Sequence, residues 1–176
     1  ASGRLVAPCA GRSAEAMNLQ IIRTRHPPEL YLPRLAAMLQ EAGVKVGAPE
    51  LGRRLGNLPK EDRLLLALDG EQLAGYAHLR VSRDLTSEET AEVVAILVAK
   101  TYRRQGVGRH LIAAAETWAL ESGRARLLLR TDVVRTEAHA FFTALGYEKT
   151  TTSLEFIRDL EKVRQADRPT RPPVNP

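Results

Sequence analysis

The residues with the clearest chemical purpose are Arg103-Arg104-Gln105-Gly106-Val107-Gly108, followed at once by Arg109. Glycines set between a buried strand and a helix are a device for anions. Without Cβ atoms the backbone lets oxygens approach, successive N–H groups converge on them, and the helix N-terminus adds partial positive charge. Arg103, Arg104 and Arg109 add long-range attraction, so a pyrophosphate suits this loop. Taken alone, Gly-x-Gly more often serves a tight turn than a ligand. Two rival phosphate motifs are nevertheless absent: no Lys-Ser/Thr follows as a Walker loop needs, and no third glycine follows at dinucleotide-fold spacing.

About thirty residues later comes Arg135-Thr136-Glu137-Ala138-His139-Ala140-Phe141-Phe142-Thr143-Ala144-Leu145-Gly146-Tyr147-Glu148. The two stretches together resemble the GNAT superfamily of N-acetyltransferases. Its acetyl-CoA loop reads Gln/Arg-x-x-Gly-x-Gly/Ala after a central strand, and its second signature reads roughly Arg/Asn-x-x-Ala-x-x-Phe-Tyr-x-x-x-Gly-Phe/Tyr. The resemblance extends more weakly from Leu19 to Leu160, including the Asp69-Gly70 turn and Ala74-Gly75-Tyr76. It implies a mixed, mostly antiparallel sheet with splayed central strands and helices on both faces. It also implies acetyl-CoA as co-substrate, its pyrophosphate on Arg103, Arg104, Gln105, Gly106, Val107, Gly108 and Arg109. Leu97 and Val98 occupy the positions whose backbone hydrogen-bonds the pantetheine arm, and Arg135, Ala138, Phe141 and Phe142 those that line it. The Val98 N–H would serve as a one-donor oxyanion site.

Acetyl transfer to an amine needs a base for the ammonium and a proton for the departing thiolate, but no enzyme nucleophile. Glu92 is the expected base. It opens the central strand, and period-two alternation puts it on the face of Val94, Ile96 and Val98. It also coincides with the base position of the histone acetyltransferase branch, at the same separation from the glycine loop. The competing reading is a solvated strand-end carboxylate among Glu88, Glu89 and Glu92. The acid departs from the family pattern: where a tyrosine is common, this chain has Phe142, which has no proton to give. Tyr147 is the nearest candidate and competes with water or with acid-free departure of the thiolate; its own alternative is packing beneath the helix. His139 receives no catalytic role, Arg135 has a salt bridge to Asp132 or Glu137 as its alternative, and Trp118 reads as core.

Positioning these groups requires a particular order of elements. Residues 18–23 read as a strand, 28–41 as a helix stopped by Gly43, and 49–58 as a shorter helix. Residues 63–68 and 72–81 form a hairpin around Asp69-Gly70, and the unbroken apolar run 93–98 reads as a strand covered on both faces. A helix over 108–122 carries Leu111, Ile112, Ala115, Trp118 and Ala119 on one stripe. Then follow a buried strand at 127–129, a helix at 137–145 closed by Gly146, and a last strand over 150–157. This is an α/β architecture with a mixed sheet.

The chain has 176 residues, enough for one compact domain, expected over 18–161. Residues 1–17 read as a leader or remnant, with Met17 as the natural start, and 162–176 as a proline-rich tail. One cysteine, Cys9, excludes an internal disulfide and a cysteine-ligated metal site, and no metal is expected. Apolar stretches are far shorter than a membrane span and no signal-peptide core is seen, so the expectation is a cytoplasmic protein without membrane association. The net charge of +5 is spread among acidic residues with no basic arm, and no nucleic-acid partner is expected. The expected acceptor is a primary amine, of a small cationic molecule in preference to a protein lysine or N-terminus, bordered by residues 44–58 and the acidic turn 84–89. The rival from another class is a catalytically weak acyl-CoA-binding module. Sequence leaves the oligomeric state open, a homodimer included.

Overall fold

In a computed structural model, the chain is described over residues 17–157 apart from Asp84, Thr86, Ser87 and Ser153. The expected leader and tail lie outside the described residues. The hairpin turn, expected at Asp69-Gly70, falls one residue later on Gly70-Glu71, with Gly70 at φ 59°, because Asp69 pairs with Gln72; it joins β2 (Arg63–Asp69) to β3 (Gln72–Ser82). The strand β1 (Leu19–Thr24) pairs antiparallel with β2, and β4 (Thr90–Val98) antiparallel with β3. A crossover through α3 (Val107–Glu121) then brings β5 (Leu127–Leu129) alongside β4 in parallel, as a helix-length connection permits. The result is a five-stranded sheet in the order β1-β2-β3-β4-β5, antiparallel but for its last joint.

Leu64 through Leu68 are all buried, so β2 is covered on both faces. One cover is α3, whose Val107, Leu111, Ile112, Ala115, Trp118 and Ala119 are buried at the spacing of a helical stripe. The helix α1 (Leu32–Glu41), with Leu35, Ala36 and Met38 buried, packs on β3 and β4 and is buttressed by α2 (Ala48–Gly56). The expected single helix over 28–41 is divided: a 3-10 turn covers Glu29–Tyr31, and α1 begins at Leu32 with Pro33 in its first turn, where the missing N–H costs nothing.

Gly75 sets how closely α3 approaches. A Cβ there would lie 2.9 Å from the Leu97 carbonyl oxygen, 3.1 Å from Val107 Cγ1 and 3.2 Å from Leu111 Cδ1. The bare glycine backbone lets the first turn of α3 rest directly on the sheet beside the end of β4.

The chain divides into two compact units, one ending at Thr131 and one beginning at Asp132. The second holds α4 (Thr136–Ala144), closed by Gly146 at φ 89°. The strand expected at 150–157 is not formed among the described residues: Leu154, Phe156 and Ile157 are more than 80% exposed and belong to no ladder. Alternation says which side chains would share a face, but it supplies no hydrogen-bond partner.

Candidate active site

The run 93–98 was expected to be covered on both faces, and only its beginning is. Over Ala91–Val93 the strand β4 is flanked by β3 and by β5, whose residues Leu127, Leu128 and Leu129 are its partners. The β5 pairing ends at Val93, and from Val94, 40% exposed, no strand among the described residues pairs with the edge of β4 away from β3. The two central strands were expected to splay; here the β4–β5 ladder holds for three residues and ends.

A bulge in β4 changes which residues face it. His78 pairs with Ala95 and Leu79 with Val93, so Val94 is an extra residue. Cross-strand partners share a face, which puts Glu92 with Ala95 and Leu97 rather than with Ile96 and Val98. Period-two counting fails here because one residue is inserted into the ladder. The backbone alternates too. Ala99 N–H donates to Ala74 O at 2.9 Å and the Leu97 carbonyl lies against Gly75, so both point toward β3. Val98 and, one pleat back, Ile96 therefore turn their N–H and C=O groups toward the open edge, whereas Leu97, expected beside Val98 as a backbone partner of the pantetheine arm, turns its own toward β3.

At the end of that edge stands the glycine loop. Gly106 has φ 85°, and Arg104, at φ 62°, is the one non-glycine in the left-handed region among the described residues. Such a conformation costs of order 1 kcal/mol and persists where the surrounding structure imposes it. Gln105 Nε2 donates to Thr101 O at 2.7 Å, His110 Nδ1 lies 3.0 Å from Gly106 O, and Arg103 Nε donates to Val98 O at 3.3 Å. Tyr102, buried beneath the loop, donates its hydroxyl toward Asp69 and Gln72 in the β2–β3 hairpin, at 3.3 and 3.2 Å. The first backbone closure of the helix is His110 N–H to Gly106 O, at 3.1 Å. Val107, Gly108 and Arg109 are thus left as its N-terminal donors. With Arg103, Arg104 and Arg109 exposed around these donors, the loop fits a pyrophosphate.

Glu92 is 2% exposed. Its Oε2 accepts from Arg80 at 2.8 Å and its Oε1 from Arg130, so each oxygen already has a guanidinium partner, and service as a base would require release of one of them. The expected acidic turn is engaged as well. Asp84, Thr86 and Ser87 lie outside the described residues; Glu89 accepts from Arg83 at 2.6 Å and from Arg124 at 2.5 Å, and Arg83 also reaches Glu61 at 2.9 Å. The Arg83 hydrogen bonds are the main reason that the Glu61 and Glu89 carboxyls lie below the usual carboxylate range.

Tyr76, opposite Leu97 on the same face as Glu92, is buried, and burial lifts its hydroxyl from the ordinary 10 to about 12. The folded state holds this proton more tightly than the unfolded chain. The associated stabilisation is therefore fully present below about pH 10 and is lost as pH rises through about 12, an effect of roughly 3 kcal/mol. Urea unfolding across that window should show the decline in the native protein, and Tyr76→Phe should flatten it.

In the second unit, Arg135 Nε pairs with Asp132 Oδ2 at 3.2 Å, the ion pair foreseen as its alternative, and His139 Nε2 lies 2.9 Å from Asp132 O. The Phe141 and Phe142 rings lie 5.2 Å apart between centroids, their planes tilted by 59°, and Tyr147 meets Phe142 edge-on at 6.1 Å. Ala138 is half-buried on the same helix. Sequence reasoning passed over His78 and Asp62. On β3, His78 Nε2 lies 2.8 Å from Asp62 Oδ2, on the face shared by Tyr76, Arg80 and Glu92. A histidine inside an apolar strand was the available signal, but its partner sixteen positions earlier could not be singled out.

Among the described residues no helix is long and apolar enough to cross a membrane, and no cluster of His, Cys, Asp and Glu suits a metal ion. Comparison with known proteins agrees with the geometry. The chain is 31% identical over 116 residues to an aminoglycoside N(6′)-acetyltransferase type 1 of Stenotrophomonas maltophilia, covering 64% of this chain and 75% of that protein. It is 33% identical over 82 residues to the probable N-acetyltransferase 14 of Xenopus tropicalis, spanning 47% of this chain but only 38% of that one. The solved aminoglycoside N-acetyltransferase AAC(6′)-Iy in complex with CoA superposes with a TM-score of 0.72 at 16% identity, over 82% of this chain and 97% of that one, a likeness of fold. The family model of the GNAT acetyltransferases matches residues 32–147, from α1 through the glycine loop to Tyr147, and the chain belongs to that family as an acetyl-CoA-dependent N-acetyltransferase.

Proposed function

We propose that the protein transfers the acetyl group of acetyl-CoA to a primary amine of a small cationic acceptor, foremost an aminoglycoside-like compound, in the cytoplasm. The observation that carries the donor half is the continuity of the glycine loop with the open edge of β4. Arg103, Arg104, Gln105, Gly106, Val107, Gly108 and Arg109 would hold the pyrophosphate, and the backbone groups of Ile96 and Val98 would meet the arm that continues from it. Acetyl-CoA supplies the activated thioester. Roles for Arg135, Ala138, Phe141, Phe142 and Tyr147 rest on the family resemblance alone. The acceptor half is supported by the Stenotrophomonas relative, whose name specifies an aminoglycoside.

The test has two stages. Calorimetric titration with acetyl-CoA should give micromolar binding. Thiol release with neamine, sisomicin, spermidine and a lysine peptide should then rank the acceptors. The expected order places the aminoglycosides first by at least tenfold in kcat/KM. Preference for the lysine peptide would replace the small-molecule reading with a protein acetyltransferase, and binding without turnover on any amine would favour an acyl-CoA-binding module.

A further inference from the structure

The face of the sheet that carries Glu92 also holds a hydrogen-bonded histidine and aspartate. We propose that His78, oriented by Asp62, is the general base that takes the proton from the acceptor amine; the inference rests on the acetyltransferase reading above. Asp62 lies just before β2, and its Oδ2 is 2.8 Å from His78 Nε2. A carboxylate only accepts, so Nε2 carries the hydrogen, and in the neutral ring the lone pair is on Nδ1. No hydrogen bond to Nδ1 occurs among the described residues. The Asp62 side chain is 7% exposed and that of His78 19%, so the orienting group is enclosed while the imidazole can still be reached. The carboxylate of Glu92, by contrast, is 3% exposed with a guanidinium on each oxygen.

The location matches the task. His78 stands opposite Ala95, the residue that follows the bulge, where β4 has lost its β5 neighbour. On this face β4 carries Glu92, Ala95 and Leu97, and Ala95 is the smallest of the three. The titratable and charged groups around the imidazole are Asp62 from the entrance to β2, Tyr76 and Arg80 along β3, and Glu92 on β4, already joined to Arg80. From α1, which packs on β3 and β4, the charged residues Arg34 and Glu41 pair with each other at 3.8 Å.

In the step assigned to it, one proton passes from the acceptor ammonium to His78 Nδ1, and the freed amine nitrogen forms a C–N bond to the acetyl carbonyl carbon. The C–S bond then breaks, and the CoA sulfur leaves with its electron pair and takes the second proton from that nitrogen. The imidazolium, held by the Asp62 carboxylate, returns its proton to water. The products are the N-acetyl amine, CoA thiol and one proton.

The test is the pH dependence of thiol release from acetyl-CoA, with neamine as acceptor and, separately, with water as the only acceptor. With the native protein, kcat/KM should rise with pH as the base loses its proton. His78→Gln should lose that limb and about thirtyfold or more of kcat, while acetyl-CoA binding measured by calorimetry stays within twofold. Asp62→Asn, which keeps the imidazole but removes its acceptor, should lower kcat by about tenfold and displace the limb. If His78→Gln does not fold, His78→Asn and the Asp62→Asn profile decide the matter. A native profile and rate in His78→Gln overturn the proposal. So does loss of the limb in Glu92→Gln with its retention in His78→Gln, which would assign the base to Glu92. Acetyl-CoA binding with neither reaction above the uncatalysed rate also overturns it. Absence of acetyl-CoA binding by the native protein is the separate outcome that fails the acetyltransferase reading itself.

Discussion

Gly106→Glu should weaken acetyl-CoA binding by at least about a hundredfold while leaving the sheet intact. Two effects combine. At φ 85° the backbone of Gly106 is in the left-handed region, where a side chain costs about 1–2 kcal/mol. The new carboxylate would also stand beside the unpaired N–H groups of Val107, Gly108 and Arg109, competing for them and repelling phosphate oxygens. Steric exclusion inside the protein contributes little, since the nearest atoms to an added Cβ are those of the His110 ring, at 3.8 Å. Titration calorimetry with acetyl-CoA and CoA, alongside thermal unfolding, separates the effects. Lost binding with a melting point lowered by only a few degrees supports the loop as the pyrophosphate site. Unchanged affinity would place the cofactor elsewhere.

The second large effect is on stability. Gly75→Ala should cost about 3 kcal/mol, at the upper end for overpacking, because the added methyl meets the Leu97 carbonyl at 2.9 Å and the α3 side chains Val107 and Leu111 at 3.1 and 3.2 Å. A main-chain carbonyl cannot rotate away as a side chain can, so β4 or the first turn of α3 must move. Both carry the donor site, so acetyl-CoA affinity should fall together with the urea midpoint. Gly52→Ala is the matched control. It lies inside α2, and its Cβ would meet Leu32 Cδ1 at an ordinary 3.5 Å. Helix propensity should make that variant more stable, by up to about 1 kcal/mol. Equal midpoints for the two variants would refute the packing account of Gly75.

Both predictions concern residues that stand out in the sequence, and the reason is locality. A glycine loop before an amphipathic helix, the hairpin turn at Gly70, and the Leu127–Leu129 strand are written in contiguous residues, and their geometry depends on backbone preferences over a few positions. Apolar periodicity likewise sufficed for α3, whose stripe from Leu111 to Ala119 is buried as its spacing requires. The last strand shows the boundary of such reasoning. Residues 150–157 alternate well enough, yet a strand also needs a neighbour, and alternation carries no information about one.

What the sequence by itself determined was the order of strands and helices from β1 to α4, the anion loop and the family to which its motifs belong, because each follows from short-range spacing of glycine, arginine and apolar residues. Tertiary structure decided which side chains meet around the open edge. One residue inserted at Val94 turned Ile96 and Val98 away from the face of Glu92 and brought Ala95 and Leu97 onto it. Glu92 found Arg80 and Arg130, twelve and thirty-eight positions away, and Asp62 found His78 sixteen positions on. Those meetings depend on strand register and on where β5 ends, quantities set by the packing of whole strands and helices against one another rather than by any stretch of chain read alone.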